Sequence, residues 1–136
     1  MLDEFLKNEL SFNRESGTYL FYGDDLEKNY NIALEFSAEL FSRNIEIIDE
    51  KNRIYAIAKP TEILKAKQWG KYISFYALAG KVEGLYLVGF LYPLYNVVLD
   101  QQKTPTLTVS NEIVTDRAKV YFSSGLLLVV ESKDKV

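Results

Sequence analysis

Hydrophobic and polar positions alternate between two periods along this chain, and the changes of period mark the expected elements. Leu2, Phe5, Leu6 and Leu10 fall at i, i+3, i+4 and i+8, with Asp3, Glu4, Lys7 and Asn8 between them. That spacing predicts a short amphipathic helix. Glu15, Ser16 and Gly17 interrupt it, and Thr18-Tyr-Leu-Phe-Tyr22 reads as an aromatic-rich strand closed by Gly23. Helical spacing returns through Tyr30, Ala33, Leu34, Ser37, Leu40 and Phe41. Asp24 and Glu27 supply a capping-box start for that helix, and Asn44 a stop.

Ile45 to Ile48 and Arg53 to Ala58 read as strands around the charged turn Asp49 to Asn52. Pro60 is placed as a first-turn proline, so the next helix is expected from there to Ala79, with Gly80 ending it. Trp69, Ile73 and Tyr76 would form its buried face, and Gly70 inside it would cost roughly 1 kcal/mol relative to Ala. Gly84 to Tyr92 is the most hydrophobic strand, apolar on both faces, as suits the centre of a parallel sheet. Val97 to Leu99 extends it or begins a short new element, and Asp100 to Pro105 is a polar loop. Thr106 to Val109 reads as a strand. Lys119 to Phe122 and Leu126 to Glu131 read as a hairpin around Ser123-Ser-Gly125. The expected architecture is one three-layer α/β domain over residues 1–136. Its sheet would be mostly parallel in the centre, with a C-terminal antiparallel hairpin.

Composition narrows the chemistry. The 136 residues contain no histidine and no cysteine. Disulfides, thiolate nucleophiles, His-based zinc sites and histidine bases are therefore excluded, leaving carboxylates, Lys, Tyr and Ser. An enzyme is the less expected class, and no catalytic residue, metal ligand or cofactor is assigned. The chain opens on Met-Leu-Asp-Glu rather than a basic targeting region, and its longest apolar stretch falls short of the ~20 residues needed to span a bilayer. No membrane partner and a cytoplasmic location are expected.

The net charge of -3 is unevenly spread. Residues 1–50 carry 12 acids and 4 bases, whereas residues 51–81 carry 7 bases and 1 acid. The basic stretch is either a solvated face or a surface for an anionic partner. Lys59, Lys67, Gln68 and Lys71 are its candidate contacts to nucleic acid, which would be weak and phosphate-directed.

The strand–loop–helix at 18–43, the strand at 45–49, the apolar strand at 85–92, Thr106-Leu-Thr-Val-Ser-Asn111 and the closing hairpin resemble a pared-down RecA/RadA-type P-loop domain. The loop is degenerate: Gly23 and Lys28 survive one residue too close together, the second glycine is Glu27, and Asn29 and Tyr30 replace the hydroxyl residue. The resemblance implies a non-catalytic interaction subunit with a protein partner, an accessory in DNA recombination or repair. Residues 45–76 also resemble a degraded PD-(D/E)xK nuclease. Lys59 follows Ile57 where a carboxylate would stand, and Gln68-Trp-Gly-Lys-Tyr72 matches a helix of one branch. That resemblance implies an inactive nucleic-acid binder. An unrecognised enzyme is the third reading.

Overall fold

A computed structural model describes residues 11–15, 18–22, 45–48, 50–104 and 106–134. These residues are organised almost wholly as sheet. The strands are β1 (Ser11–Glu15), β2 (Thr18–Tyr22), β3 (Ile45–Ile48), β4 (Asn52–Ile57), β5 (Thr61–Leu64), β6 (Tyr72–Val88), β7 (Leu94–Asp100), β8 (Asn111–Glu112), β9 (Arg117–Tyr121) and β10 (Ser124–Ser132). Among the described residues there is no α-helix, only a single 3-10 turn at Lys65–Lys67. Every strand pair is antiparallel except β2 with β3, which is parallel. The expected three-layer, mostly parallel α/β architecture is therefore overturned.

The strand β6 organises this arrangement. At 17 residues it is about three times an ordinary strand. Its first half pairs with β10 along one edge and β8 along the other; its second half pairs with β9 and β7. Ile73, Phe75 and Leu85, Leu87, from opposite ends of the strand, lie in one buried cluster with Leu127, Val129 and Val120. A flat strand could not bring those ends together, so the sheet curls into a half-barrel around its inner face. Phe75 meets Phe90 edge-on inside it, at 5.6 Å between ring centroids.

The helix expected over 60–79 is replaced by β5, the 3-10 turn and the head of β6. Trp69, Ile73 and Tyr76 do fit a helical spacing, but Ile73, Phe75 and Ala77 fit a period of two equally well. Their burial against β10 chose the strand. The stretch at 84–92 is not apolar on two buried faces. Leu85 and Leu87 are fully buried, while Tyr86 and Val88 are 37% and 38% exposed, the one-sided pattern of an antiparallel sheet. Thr106 to Val109 is a turn rather than a strand.

The strands β9 and β10 stand where the sequence places them, but they are not a hairpin. Glu83↔Ser124 and Tyr86↔Tyr121 share one register, so the two strands follow each other along the same edge of β6. Gly125 permits this with φ +108, its Cα lying against the carbonyl of Lys81 where a Cβ would come within 2.7 Å. The helices expected at 2–10 and 24–43, and the loop with Gly23 and Lys28, lie outside the described residues. No helix among the described residues is long and apolar enough to cross a membrane.

Candidate functional site

At the head of β6 three segments converge. The pairing of β6 with β8 sets Tyr72 opposite Glu112 and Ile73 opposite Asn111. Directly opposed residues share a face, so Tyr72 and Glu112 stand side by side, and Asn111 falls on the buried side with Ile73. The Asn111 side-chain oxygen accepts from the backbone N–H groups of Tyr92 and Glu112, each at 2.9 Å, and its amide donates to the Tyr92 carbonyl at 2.9 Å. One buried amide thus fixes the loop carrying Leu91 and Tyr92. Leu91 N–H donates to the Glu112 carbonyl at 2.8 Å and completes the link.

The turn leading into β8 is anchored on the strand beside it. The Thr108 hydroxyl donates to the Phe75 carbonyl, and the Ser110 N–H donates to the Ser74 hydroxyl at 2.8 Å. Ser110 holds φ 55, a left-handed conformation that a non-glycine residue adopts only when its surroundings enforce it. The strain is local, beside a half-buried carboxylate.

Around that carboxylate the surface is aromatic and apolar. Tyr92 is 61% exposed, and Leu91, whose N–H is bound to the Glu112 carbonyl, is exposed as well. The Lys71 ammonium lies 3.7 Å from a Glu112 carboxylate oxygen and 5.6 Å from the centroid of the Tyr72 ring. This is the geometry of cation recognition: a carboxylate and the face of an aromatic ring holding one positive charge. The cation held is the chain's own. Its side chain is largely exposed, so the pair is weak and an outside cation can compete for the place.

A second polar constellation is structural. Arg53 donates two hydrogen bonds to one Glu46 oxygen, at 2.6 and 3.1 Å. Burial works to lower the Arg53 pKa, but hydrogen bonding and charge from Glu46 outweigh it and hold it above its ordinary value. Burial, then the charge and hydrogen bond of Glu131, push the Tyr55 phenol well above its ordinary 10.0. At an exposed turn, the backbone N–H groups of Gln102 and Lys103 hold the Asp100 carboxyl below its ordinary 3.8.

Of the four residues singled out in the basic stretch, Lys71 is the one whose contacts reach this site. Lys59 is exposed just before β5, where its carbonyl accepts from the Thr61 hydroxyl. Lys67 is exposed in the 3-10 turn, and half-buried Gln68 donates to the Gly70 carbonyl at 2.9 Å. Lys67 and Lys71 do not share a helix face, because no helix forms there. Sequence reasoning assigned none of Tyr72, Tyr92, Asn111 and Glu112 to the site, Tyr72 entering through the nuclease-like Gln68-Trp-Gly-Lys-Tyr72 match. The one available signal was the polar triplet Ser110-Asn-Glu112 set between Val109 and Ile113.

Comparison with known proteins is consistent in direction. The family model described as thiamin pyrophosphokinase, vitamin B1 binding domain, matches residues 60–127, half of the chain and every residue of the site above. A thiamine pyrophosphokinase of Bacillus subtilis is 30% identical over 104 residues, covering 76% of this chain and 48% of its own length. The chain therefore spans about half the length of that curated relative. A crystal structure of thiamine pyrophosphokinase from Bacillus subtilis superposes with TM-score 0.73 and 25% identity, covering 98% of this chain and 61% of that one. A thiamin pyrophosphokinase family protein from Enterococcus faecalis gives TM-score 0.62 and 30% identity, over 81% of this chain and 50% of that one. These matches overturn both the RecA/RadA-type and the nuclease-type resemblances, and with them the role in DNA recombination or repair.

Proposed function

This chain belongs to the thiamin pyrophosphokinase vitamin B1-binding domain family, and from that premise we propose that it binds thiamin at the head of β6. The observation that carries the proposal is the Lys71 ammonium held between the Glu112 carboxylate and the Tyr72 ring. Thiamin carries a permanent positive charge on an aromatic thiazolium ring linked to an aminopyrimidine. The thiazolium takes the place of the Lys71 ammonium, where the carboxylate neutralises it and the ring face attracts it. Tyr92 offers an exposed aromatic face to the second ring, with Leu91 beside it. A pyrophosphokinase also needs a site for the phosphoryl donor. The proposal for residues 60–127 is vitamin binding, and pyrophosphoryl transfer is proposed for the chain only as the activity that this binding serves.

Calorimetry with thiamin tests it. Binding is expected to weaken with added salt and to drop about tenfold or more in Glu112→Gln, the loss typical of a charge-assisted contact. A neutral analogue of the same shape should bind poorly. Absence of binding at millimolar thiamin, or an affinity indifferent to Glu112→Gln, would overturn the assignment.

A further inference from the structure

The turn that carries Lys71 is held from a distance by the end of β10. Glu131 is 2% exposed, and it is the one charged residue on the buried length of that strand. Its carboxylate accepts from the Trp69 backbone N–H at 3.0 Å, across 62 residues of sequence. The next residue of the turn, Gly70, runs so close to the backbone of Ser132 that a Cβ there would come within 2.3 Å of it. Lys133 closes the contact with its ammonium 5.3 Å from the centroid of the Trp69 ring. Three consecutive residues, Glu131 and Ser132 of β10 and Lys133 after it, thus grip the two consecutive turn residues Trp69 and Gly70.

This grip is maintained at a cost. The Trp69 indole N–H is buried with no hydrogen-bond partner among the described residues, a placement that is unfavourable by itself. Glu131 also lies beside Tyr55 and Arg53, so its charge is not isolated. What the grip controls is immediately downstream. After Lys71 the chain enters β6 at Tyr72, and only two register pairs, Tyr72↔Glu112 and Ile73↔Asn111, join that end of β6 to β8. On its other edge the same end of β6 pairs with β10, Ile73 opposite Glu131 and Tyr72 opposite Ser132, so the residues that grip the turn are also those beside which Tyr72 enters the sheet.

Resting on the vitamin-binding reading above, we propose that Glu131 is a positioning residue for the site. It anchors Trp69, the anchored turn aligns Tyr72 with Glu112, and the aligned pair receives the cation. Glu131 itself does not touch the ligand. The acceptor oxygen is what matters for this role, so glutamine should substitute and leucine should not.

The test uses the full chain with thiamin as the probe. Glu131→Leu is expected to weaken thiamin binding by about three- to tenfold, the range of coupling through a shared contact network. Glu131→Gln should restore most of it. In a Glu112→Gln background, Glu131→Leu should have little further effect, because both changes act on the same pair. A merely structural role would give additive losses and would overturn the proposal, as would wild-type affinity in Glu131→Leu. Should Glu131→Leu fail to fold, Gly70→Ala displaces the same turn without touching the site and should lower affinity alike; unchanged affinity there would overturn the proposal. Trp69 is the sole tryptophan, so its emission reports the grip directly. Amide exchange at Tyr72 and Glu112 in the ligand-free protein separates the two claims. Faster exchange in Glu131→Leu with no thiamin bound by wild type would sink the vitamin reading alone, whereas unchanged exchange sinks the positioning role.

Discussion

The two halves of β6 are made of similar residues and live in different environments. In the first half, Ile73, Ser74, Phe75, Ala77 and Leu78 are all buried, so both faces are covered. In the second, Leu85 and Leu87 are buried while Tyr86 and Val88 face outward. Apolar content therefore does not report depth in a sheet. What differs is what lies against each face. The first half runs between β10 and β8, and the outer side of β10 and β4 is itself buried through Leu128, Val130 and Ile54. The second half curls away with β7 and β9, and its outer side shows Tyr86 and Tyr121 as a directly opposed pair.

The largest effect that would test this contrast is in the first half. Phe75→Ala removes a fully buried ring packed edge-on against Phe90, and should destabilise the protein by about 3–5 kcal/mol. Urea denaturation would show it as a lower midpoint; a loss under about 1 kcal/mol would mean the inner face collapses to fill the space.

Next comes alkali. The Tyr55 phenol, against β10 in the same region, has its pKa raised by burial and by Glu131. The unfolded chain loses that proton near 10.0 while the folded protein keeps it. Its contribution is therefore complete below pH 10.0 and is lost as pH rises toward the folded value. Melting temperature should fall above that pH more steeply in the wild type than in Tyr55→Phe. Equal slopes would place Tyr55 in contact with water.

In the second half the expected effects are small. Val88→Asp puts a charge on an outward face next to its cross-strand partner Lys119, and should shift stability by less than about 1 kcal/mol. The sequence alone, reading this stretch as buried on both sides, would predict a failure to fold. An insoluble Val88→Asp variant would restore that prediction and break the comparison. Smallest is Asp100, opposite Lys81 at the start of the second half. Its pKa is lowered by the N–H groups of Gln102 and Lys103, so its contribution is present above pH 3.8 and lost as pH falls through the folded value. Asp100→Asn should flatten the acid limb of the stability curve slightly; an identical limb would remove Asp100 from it.

Several strands were legible because their cues are local. Thr18–Tyr22 and Ile45–Ile48 are β2 and β3 as the apolar runs predict, and Arg53 to Ala58 falls one residue from β4. The stretches Lys119 to Phe122 and Leu126 to Glu131 lie within one residue of β9 and inside β10. Residues 60–79 were misread because Trp69, Ile73 and Tyr76 satisfy the helical period by coincidence. Only pairing with β10 distinguishes that from the alternation of Ile73, Phe75 and Ala77. The site was almost illegible. Tyr72 and Glu112 are 40 positions apart in the chain and meet by register, and Asn111 looks like any turn asparagine until its three hydrogen bonds are known.

By itself, then, the sequence determined which chemistry is possible and where several chain segments are extended. Without histidine or cysteine, any site must be built from carboxylates, amides, hydroxyls, lysines and aromatic rings, and the site at the head of β6 is so built. Tertiary structure alone decided that the sheet is antiparallel at all but the β2–β3 pair and curled, that β9 continues into β10 along β6, and that Lys71 rests between Glu112 and Tyr72. The physical reason is range. Side-chain period and turn chemistry act over a few residues, whereas strand register is set by burying the faces of segments distant in sequence, and a one-residue slip would turn each side chain to the opposite face.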